Sequence, residues 1–324
     1  CYGRGNTRPT VTDANVLLGR IAADRPLGGG LLAGMDAQKS HDAIATHVAE
    51  PLGLEVMAAA EAILTVANAK MAGAVRLVSI ERGHDPRQFA YMPFGGGGGL
   101  HVCAMMREVG VGTGIVPRYP GVTSALGCVM ADMRHDAVQT LNKTLAELDV
   151  ADLRERVATL AANCQERLDS AGVTFVNVQE IIALDMLYAG QTHTVQVPVQ
   201  ADALSQESIH AAFETAYRAA FGRVLDGIVV RVMNLRYARV GVRPKFDLTV
   251  LAPQTTEQQP SLGVQRVFHA GQWWDAARHA RLDLPVGACI EGPAILEQPD
   301  TTVWLEPGFS ATVDTLGNLL VRAL

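Results

Sequence analysis

A run of five consecutive glycines at positions 95–99 is the segment of this sequence best suited to contact a ligand through its backbone. Residues 89–94 before it are typical of a short strand, and the apolar spacing of residues 100–109 after it predicts a helix. Glycines at a strand-to-helix junction let backbone N–H groups approach a phosphate or an adenine ring, and a helix start favours negative charge. The run, called here the glycine loop, therefore indicates a nucleotide contact, with a simple tight connection as the alternative.

Neither of the common phosphate-binding fingerprints occurs in the glycine loop. A Walker A loop would continue with Gly-Lys-Ser/Thr, and the dinucleotide-binding pattern would place a third glycine where Leu100 or His101 stands. His101 opens the predicted helix, where it either faces a ligand or is a histidine satisfied within the fold.

A second segment, residues 2–13, concentrates glycines, hydroxyl groups and charges. Loops of this composition often contact anionic ligands. We therefore predict a ligand-binding loop, called here the N-terminal loop, which contains Gly3, Arg4, Gly5, Thr7 and Asp13. The alternative is an exposed, frayed N-terminal segment.

No other group of residues in the sequence indicates catalysis or metal binding. HExxH and GxSxG are absent, and the histidines lack the spacing of metal ligands, so we assign no catalytic residue and no metal site. His135 and Asp136 are expected to end a helix. The five cysteines are widely spaced without a CxxC pair, which argues against a disulfide framework or a zinc ribbon and is typical of small buried side chains.

The composition is that of a soluble globular protein with two or three domains. The chain has 324 residues and a formal net charge of −6, with 48% hydrophobic and 19% charged residues. Its acidic balance and the lack of a basic stripe argue against nucleic acid as a partner. Because no uncharged apolar run is long enough to span a bilayer and no leader pattern opens the chain, we expect a cytoplasmic protein without membrane contact.

The predicted secondary structure that would position these residues changes from alternating helices and strands to mainly strands near residue 142. Before it, predicted helices and short strands alternate, which favours an α/β layer over residues 1–142. Helices are expected behind a cap at Thr12 or Asp13 and at 36–49, 55–78, 100–109 and 123–134, strands at 89–94 and 112–117, and a turn at Pro26 and 28–30.

After residue 142 the pattern predicts first a helix and then mainly strands. Residues 143–171 predict an amphipathic helix within a connecting segment 143–172. Alternatively, Asp149 and Asp152 mark a cap and first turn and split off a short leading helix. Residues 173–324 predict a β-rich α+β domain with one helix at 205–221. Its strands are expected at 173–178, 194–199, 227–239, 246–252, 264–268, 301–305 and 311–321.

A long ordered set of strings resembles the hydantoinase A/5-oxoprolinase family across nearly the whole chain. The glycine loop lies in one of them, which reads Phe-Gly-Gly-x-Gly-x-Leu-His. The set comprises residues 1–15, 18–20, 66–68, 71–72, 78–87, 94–101, 116–117, 120–127, 132, 292–295, 301–302 and 317–319.

The resemblance implies an ATP-dependent hydrolase of cyclic amides, of the N-methylhydantoinase or 5-oxoprolinase type. The family's ATP core resembles the two-domain actin/sugar-kinase fold, so the chain would contain the second lobe of that fold followed by the β-rich domain. In such a lobe glycine-rich turns hold the adenosine end of ATP, and the matching positions here are Gly95, Gly96, Gly97, Gly98 and His101. ATP would phosphorylate the amide oxygen, with Mg²⁺ neutralising the phosphates, before water opens the ring.

Three departures from the family pattern bear on this implication. Gly97 and Gly99 replace the usual alanine and proline of the glycine loop, and Leu187 replaces an arginine before Tyr188. The family's Asp-x-Gly-Gly-Thr phosphate loop is absent. We therefore expect the chain to be the C-terminal portion of a longer protein, without its N-terminal lobe. Activity would require that lobe and a hydantoinase B-like subunit, and the chain alone would be inactive.

Two other functions fit the same resemblance. The first is a nucleotide-using subunit of an acetone or acetophenone carboxylase, which would differ in its substrates. The second is a non-catalytic assembly module in which residues 173–324 dock a partner subunit.

Overall fold

The computed structural model describes residues 1–23, 34–253 and 261–324, and it separates into two units. Unit 1 comprises Cys1–Gly127 and Asp247–Leu324, and unit 2 comprises Cys128–Phe246. This division differs from the linear boundaries predicted at 142 and 172. The physical reason is strand pairing, because β1 (Gly114–Val116) pairs antiparallel with β12 (Leu319–Ala323) and so draws the C-terminal segment into unit 1.

The helices that begin in unit 1 follow their predicted positions closely. They are α1 (Val11–Leu17), α2 (Ala37–Ile44) with a continuing π-turn (Ala45–Ala49), the single turn α3 (Glu50–Leu52), α4 (Val56–Val78), α5 (Val102–Val109) and α6 (Thr123–Met130). α6 contains the boundary between the two units. Helices α1, α2 and α4 pack around an apolar cluster that includes Ala14, Leu18, Ile44 and Leu64.

A correction concerns the N-cap of α1, which is Thr10 rather than Thr12 or Asp13. The Thr10 hydroxyl accepts from the amide of Asp13, and the Asp13 carboxylate accepts from the amide of Thr10. This capping box makes Asp13 the third helical residue, where its charge also suits the helix dipole.

Two four-stranded sheets complete unit 1. One has the order β1-β12-β11-β8, and the other has the order β10-β9-β7-β6. All pairs are antiparallel except β7 with β9. The strands are β6 (Ser261–His269), β7 (Gln272–Ala280), β8 (Cys289–Glu291), β9 (Ala294–Gln298), β10 (Thr301–Leu305), β11 (Phe309–Val313), β1 and β12.

Unit 2 is an antiparallel sheet of order β2-β5-β3-β4 with two helices, α7 (Val150–Asp169) and α8 (Gln206–Phe221). Its strands are β2 (Met133–Thr144), β3 (Asn177–Tyr188), β4 (Val195–Val199) and β5 (Val230–Val242). Both helices bury their apolar stripe against the sheet, where the rings of Tyr188, Phe213 and Tyr217 contact one another.

Two further corrections fall in unit 2. The predicted helix 143–171 starts only at Val150, because Asp149 caps it by accepting from the amides of Ala151 and Asp152. Lys143 and Thr144 are the last residues of β2, and residues 145–149 connect it to the helix. β2 also contains His135 and Asp136, so these two do not end a helix.

The remaining differences in secondary structure are local. The predicted strand 89–94 is reduced to one bridge between Tyr91 and Gly114, and the predicted strand 246–252 is a helical turn, Leu248–Leu251. Helix α6 ends before residue 134, and the turn expected at Pro26 and 28–30 lies outside the described residues. The architecture is mixed helix and sheet, which confirms the predicted α/β class.

All five cysteines are free thiols, but only Cys103 and Cys164 are buried. Burial raises the pKa of Cys103 to about 12. The expectation of small buried side chains is wrong for Cys128 and Cys289, which are exposed.

Residues Val56–Arg82, which include α4, form the one helical stretch in the described part of the chain that is long and apolar enough, by length and composition, to cross a membrane. Glu61, Lys70 and Arg76 lie within it, and the core helices of soluble proteins satisfy the same criterion. The absence of membrane contact therefore stays a prediction.

Candidate functional site

The glycine loop lies directly against strand β10. A Cβ atom on Gly99 would lie 2.8 Å from the Thr302 carbonyl oxygen, and one on Gly96 would lie 3.2 Å from the Asp300 carbonyl oxygen. Side chains at these two positions would push the loop away from the strand. Gly96 and Gly99 therefore allow close packing, which is part of the tight-connection interpretation.

The opposite side of the loop is open. Gly97 is exposed, and a Cβ atom there would meet nothing within 4 Å. Gly95 has a φ of +84°, which strongly favours glycine at this turn. Among residues 1–23, 34–253 and 261–324, none accepts a hydrogen bond from the amide of Gly96 or Gly97. Two consecutive backbone donors are therefore available to a ligand at the start of the helical segment Gly98–Val109.

His101 connects the loop to helix α4 rather than standing free at the helix start. Its Nδ1 atom lies 2.8 Å from Oδ1 of the buried Asn68. Burial lowers the pKa of His101, and the positive charge of Arg20 lowers it further, which favours a neutral imidazole. This geometry is that of a histidine satisfied within the fold, and contact with a ligand through its other nitrogen stays a prediction.

The N-terminal loop borders a cavity of about 600 Å³. Its lining includes all five predicted residues, Gly3, Arg4, Gly5, Thr7 and Asp13, together with other residues of the loop and of α2. The cations Arg4, Arg8 and Lys39 border the same cavity, which gives it the charge that an anionic ligand needs.

Asp13 lies at the base of this cavity and is 4% exposed. Its Oδ1 accepts from the backbone nitrogen of Cys1 at 2.5 Å and from the Ser40 hydroxyl at 2.9 Å, and its Oδ2 accepts from Thr10. Burial acts to raise the pKa of Asp13, but these hydrogen bonds outweigh it and lower the pKa. Because its oxygens are already engaged, Asp13 organises the cavity rather than offering a free carboxylate.

The two predicted ligand loops share one apolar cluster. Leu100, next to the glycine loop, and Cys1, next to the N-terminal loop, both pack in the cluster that contains Trp304. A group of titratable side chains, of which Glu306 and Arg20 are buried and Arg107 is exposed, borders this cluster. Glu306 is 2% exposed, lies 2.5 Å from Arg107 and lies 3.7 Å from His269, whose Nδ1 is 3.4 Å from Arg20.

These charged residues were missed by the sequence reasoning. Arg20 and His269 are separated by 249 positions, and no spacing rule connects them. Within the described ranges, with the gaps at 24–33 and 254–260, no group of three His, Cys, Asp or Glu side chains could hold a metal ion.

Comparison with known proteins places this site in a family. A family model described as Hydantoinase/oxoprolinase matches residues 1–137, and one described as Hydantoinase/oxoprolinase C-terminal domain matches residues 140–322. The chain belongs to the hydantoinase/oxoprolinase family. This confirms the resemblance noted from the ordered strings of the sequence.

Two curated relatives are named as subunits of larger enzymes. Caprolactamase subunit alpha of Pseudomonas jessenii is 32% identical over 97% of this chain and 46% of its own length. Acetophenone carboxylase gamma subunit of Aromatoleum aromaticum is 28% identical over 100% of this chain and 46% of its own. The chain thus spans about half the length of these relatives.

A solved structure supports the fold. The crystal structure of ATP-dependent caprolactamase from Pseudomonas jessenii matches with a TM-score of 0.77 and 29% identity, over 100% of this chain and 48% of the other. The family includes ATP-dependent amide hydrolases and carboxylases. The architecture of this chain is shared with both, since a nucleotide-free acetone carboxylase structure also matches it, with a TM-score of 0.75 and 23% identity.

Proposed function

We propose that this chain carries the nucleotide-binding part of an ATP-dependent enzyme that hydrolyses a cyclic amide of the hydantoin, N-methylhydantoin or 5-oxoproline type. One observation carries the proposal. The glycine loop presents the unpartnered amides of Gly96 and Gly97 at a helix start, in a chain whose structural relative is an ATP-dependent amide hydrolase.

The chemistry follows from the weak reactivity of an amide. Transfer of the γ-phosphoryl group of ATP to the amide oxygen would give an imidate phosphate, which water attacks more readily than the amide itself. The contribution of this chain is to hold and orient the nucleotide through backbone donors. We assign no residue to water activation.

Mg²⁺ commonly accompanies ATP in phosphoryl transfer. The described side chains offer no cluster of three ligands for it, so we derive no step through the ion. Binding of Mg²⁺ together with ATP stays a prediction.

The proposal includes a need for further polypeptide. The chain covers about half of its relatives, two of which are named as subunits. We propose that a second lobe completes the ATP site, that a hydantoinase B-like subunit completes hydrolysis, and that the protein acts in the cytoplasm. This chain alone is expected to be inactive.

The test is ADP release by the full protein with its partner subunit, in the presence of hydantoin, N-methylhydantoin, 5-oxoproline or caprolactam. Amide-dependent ADP release with stoichiometric ring-opened product is expected for at least one ring. ATP turnover that instead requires bicarbonate and a ketone would assign a carboxylase. Partner binding without any nucleotide turnover would assign an assembly module.

A matched pair of variants connects this activity to the loop. Gly96→Trp places a large side chain against the Asp300 carbonyl and is expected to abolish ATP binding. Gly97→Ala fits the open side and is expected to retain it. Loss of binding in both variants, or in neither, would contradict the role of the loop.

A further inference from the structure

A buried arginine lies behind the turn that contacts the glycine loop. Arg281 is 3% exposed and donates through Nη1 to Oε1 of Gln298 at 2.7 Å. Its Nη2 donates to the carbonyl oxygens of Val116, at 2.9 Å, and Pro117, at the end of β1. Burial lowers the pKa of Arg281 to about 9, although the charge of Asp300 acts to raise it. Its two terminal nitrogens hold backbone carbonyls and Gln298, whereas its buried Nε has no hydrogen-bond partner among the described residues.

Gln298 links Arg281 to the carboxylate of Asp300. Its Nε2 donates to Oδ1 of Asp300 at 2.5 Å and to the carbonyl of Arg118 at 3.2 Å. The other carboxylate oxygen of Asp300, Oδ2, accepts from the amide of Gly121 at 2.9 Å. A Cβ atom on Gly121 would lie only 2.6 Å from Oδ2, so the turn lies directly against the carboxylate.

The turn and the first residue of β10 then both bond to the glycine loop. The carbonyl of Pro120 accepts from the amide of Gly95 at 2.7 Å. On the other side, the hydroxyl of Thr301 donates to the carbonyl of Gly96 at 2.9 Å. These two bonds fix the residues that lead into the unpartnered amides of Gly96 and Gly97.

We propose that Asp300 is a positioning residue for nucleotide binding. It fixes the turn at Gly121 and, through that turn, holds the glycine loop that carries the unpartnered amides. Gln298 and Arg281 hold the carboxylate in place. The inference rests on the proposed function, because it takes the ligand of the loop to be ATP.

The alternative is that the network only stabilises the fold. The two roles predict that a mutation changes different measured quantities. A positioning residue changes ATP affinity, and hence KM, at little cost to kcat, because the phosphoryl-transfer step itself does not involve Asp300. A purely structural residue lowers the melting temperature and leaves the Kd of the folded protein unchanged.

The experiment compares Asp300→Ala with Asp149→Ala in the full protein. Asp149 is a matched control, because it accepts from two amides at the start of α7 in unit 2. Titration with ATP is expected to show a Kd raised about tenfold for Asp300→Ala, with kcat within twofold. Asp149→Ala should lower the melting temperature and leave the Kd unchanged. Asp300→Asn keeps one acceptor and should give an intermediate Kd.

Hydrogen exchange of the nucleotide-free protein gives a second readout. Asp300→Ala is expected to speed exchange of the hydrogen-bonded amides of Gly95 and Gly98 as well as that of Gly121, whereas Asp149→Ala should not. Faster exchange with an unchanged Kd would overturn the nucleotide role, and no change in either would overturn the inference entirely. If the wild-type protein binds no ATP, the proposed function is wrong and the nucleotide role falls with it. The exchange data then decide alone whether Asp300 positions the loop.

Discussion

The glycine loop and the N-terminal loop are both glycine-rich, yet the structure holds them in different ways. The glycine loop lies against β10, a strand about 200 positions further along the chain, and two of its glycines leave no room for a side chain. The N-terminal loop is organised locally by the capping box of Thr10 and Asp13, and a Cβ atom on Gly5 would meet nothing within 4 Å. Similar composition thus serves long-range packing in one loop and local hydrogen bonding in the other.

This comparison predicts the largest loss of stability at Gly99. Gly99→Ala places a methyl group 2.8 Å from a backbone oxygen of β10, so the free energy of unfolding should fall by about 2–3 kcal/mol, as for an overpacked core. Urea denaturation measures the change. Gly5→Ala is not an equivalent control because of its positive φ, so Gly97→Ala serves instead. A Gly99→Ala protein as stable as wild type would show that the contact with β10 is loose.

The second largest loss is expected at Asp13 in the N-terminal loop. Asp13→Ala removes the capping box and the bond to Ser40, and should lower the free energy of unfolding by about 2 kcal/mol. Asp36→Ala removes the exposed cap of α2, which accepts from one amide, and should cost about 1 kcal/mol. Equal losses in the two variants would contradict the central role of Asp13.

The pH dependence of stability tests the same residue. Since the hydrogen bonds lower the pKa of Asp13 below its ordinary value of 3.8, the contribution of the carboxylate is present above that pH. It is lost as the pH falls through the folded-state pKa. Asp13→Asn should therefore flatten the acid limb of the stability curve below about pH 4. An unchanged acid limb would show that Asp13 titrates as in the unfolded chain.

A smaller effect is expected at His101, beside the glycine loop. Its folded pKa lies below the ordinary 6.5, so the wild type loses stability as the pH falls below that value. His101→Gln keeps a partner for Asn68 but cannot titrate. As the pH falls from about 7 to about 5, the wild type should lose more of its free energy of unfolding than the variant does, measured by urea denaturation at each pH. Parallel pH curves would contradict a buried neutral imidazole.

The smallest effect is expected at Gly97. Its φ of −100° suits any residue and its surroundings are open, so Gly97→Ala should stabilise the protein by about 0.5 kcal/mol through a less flexible unfolded chain. Thermal unfolding of the variant and of wild type checks this. A clear destabilisation would show that the open side of the loop is occupied in solution.

Two glycines of the glycine loop, Gly97 and Gly99, can be compared with the residues that the family pattern has at the same positions. The resembling family usually carries alanine at position 97 and proline at position 99, and here both are glycine. The structure shows that the first replacement leaves room for a side chain and that the second does not. The pattern alone gives no way to separate the two, because the difference comes from the distance to β10.

Local signals predicted much of the secondary structure. Helices α4 and α8 match their expected bounds within one or two residues, because each carries a long apolar periodicity and α8 also has a capping serine. The predicted strands 89–94 and 246–252 failed because short apolar runs carry no comparable period. In both cases backbone pairing with a distant segment would have been needed to form a strand.

The sequence by itself determined the glycine loop, the N-terminal loop, the main helices and the family, because these rest on residue types and order within short windows. Only the tertiary structure decided which segments share a unit, since β1 pairs with β12 across about 200 positions. It also decided that His101 is engaged by Asn68 and that Asp300 and Arg281 stand behind the glycine loop. Contacts between residues so far apart leave no spacing in the sequence, because the chain folds back through strand pairing before they meet.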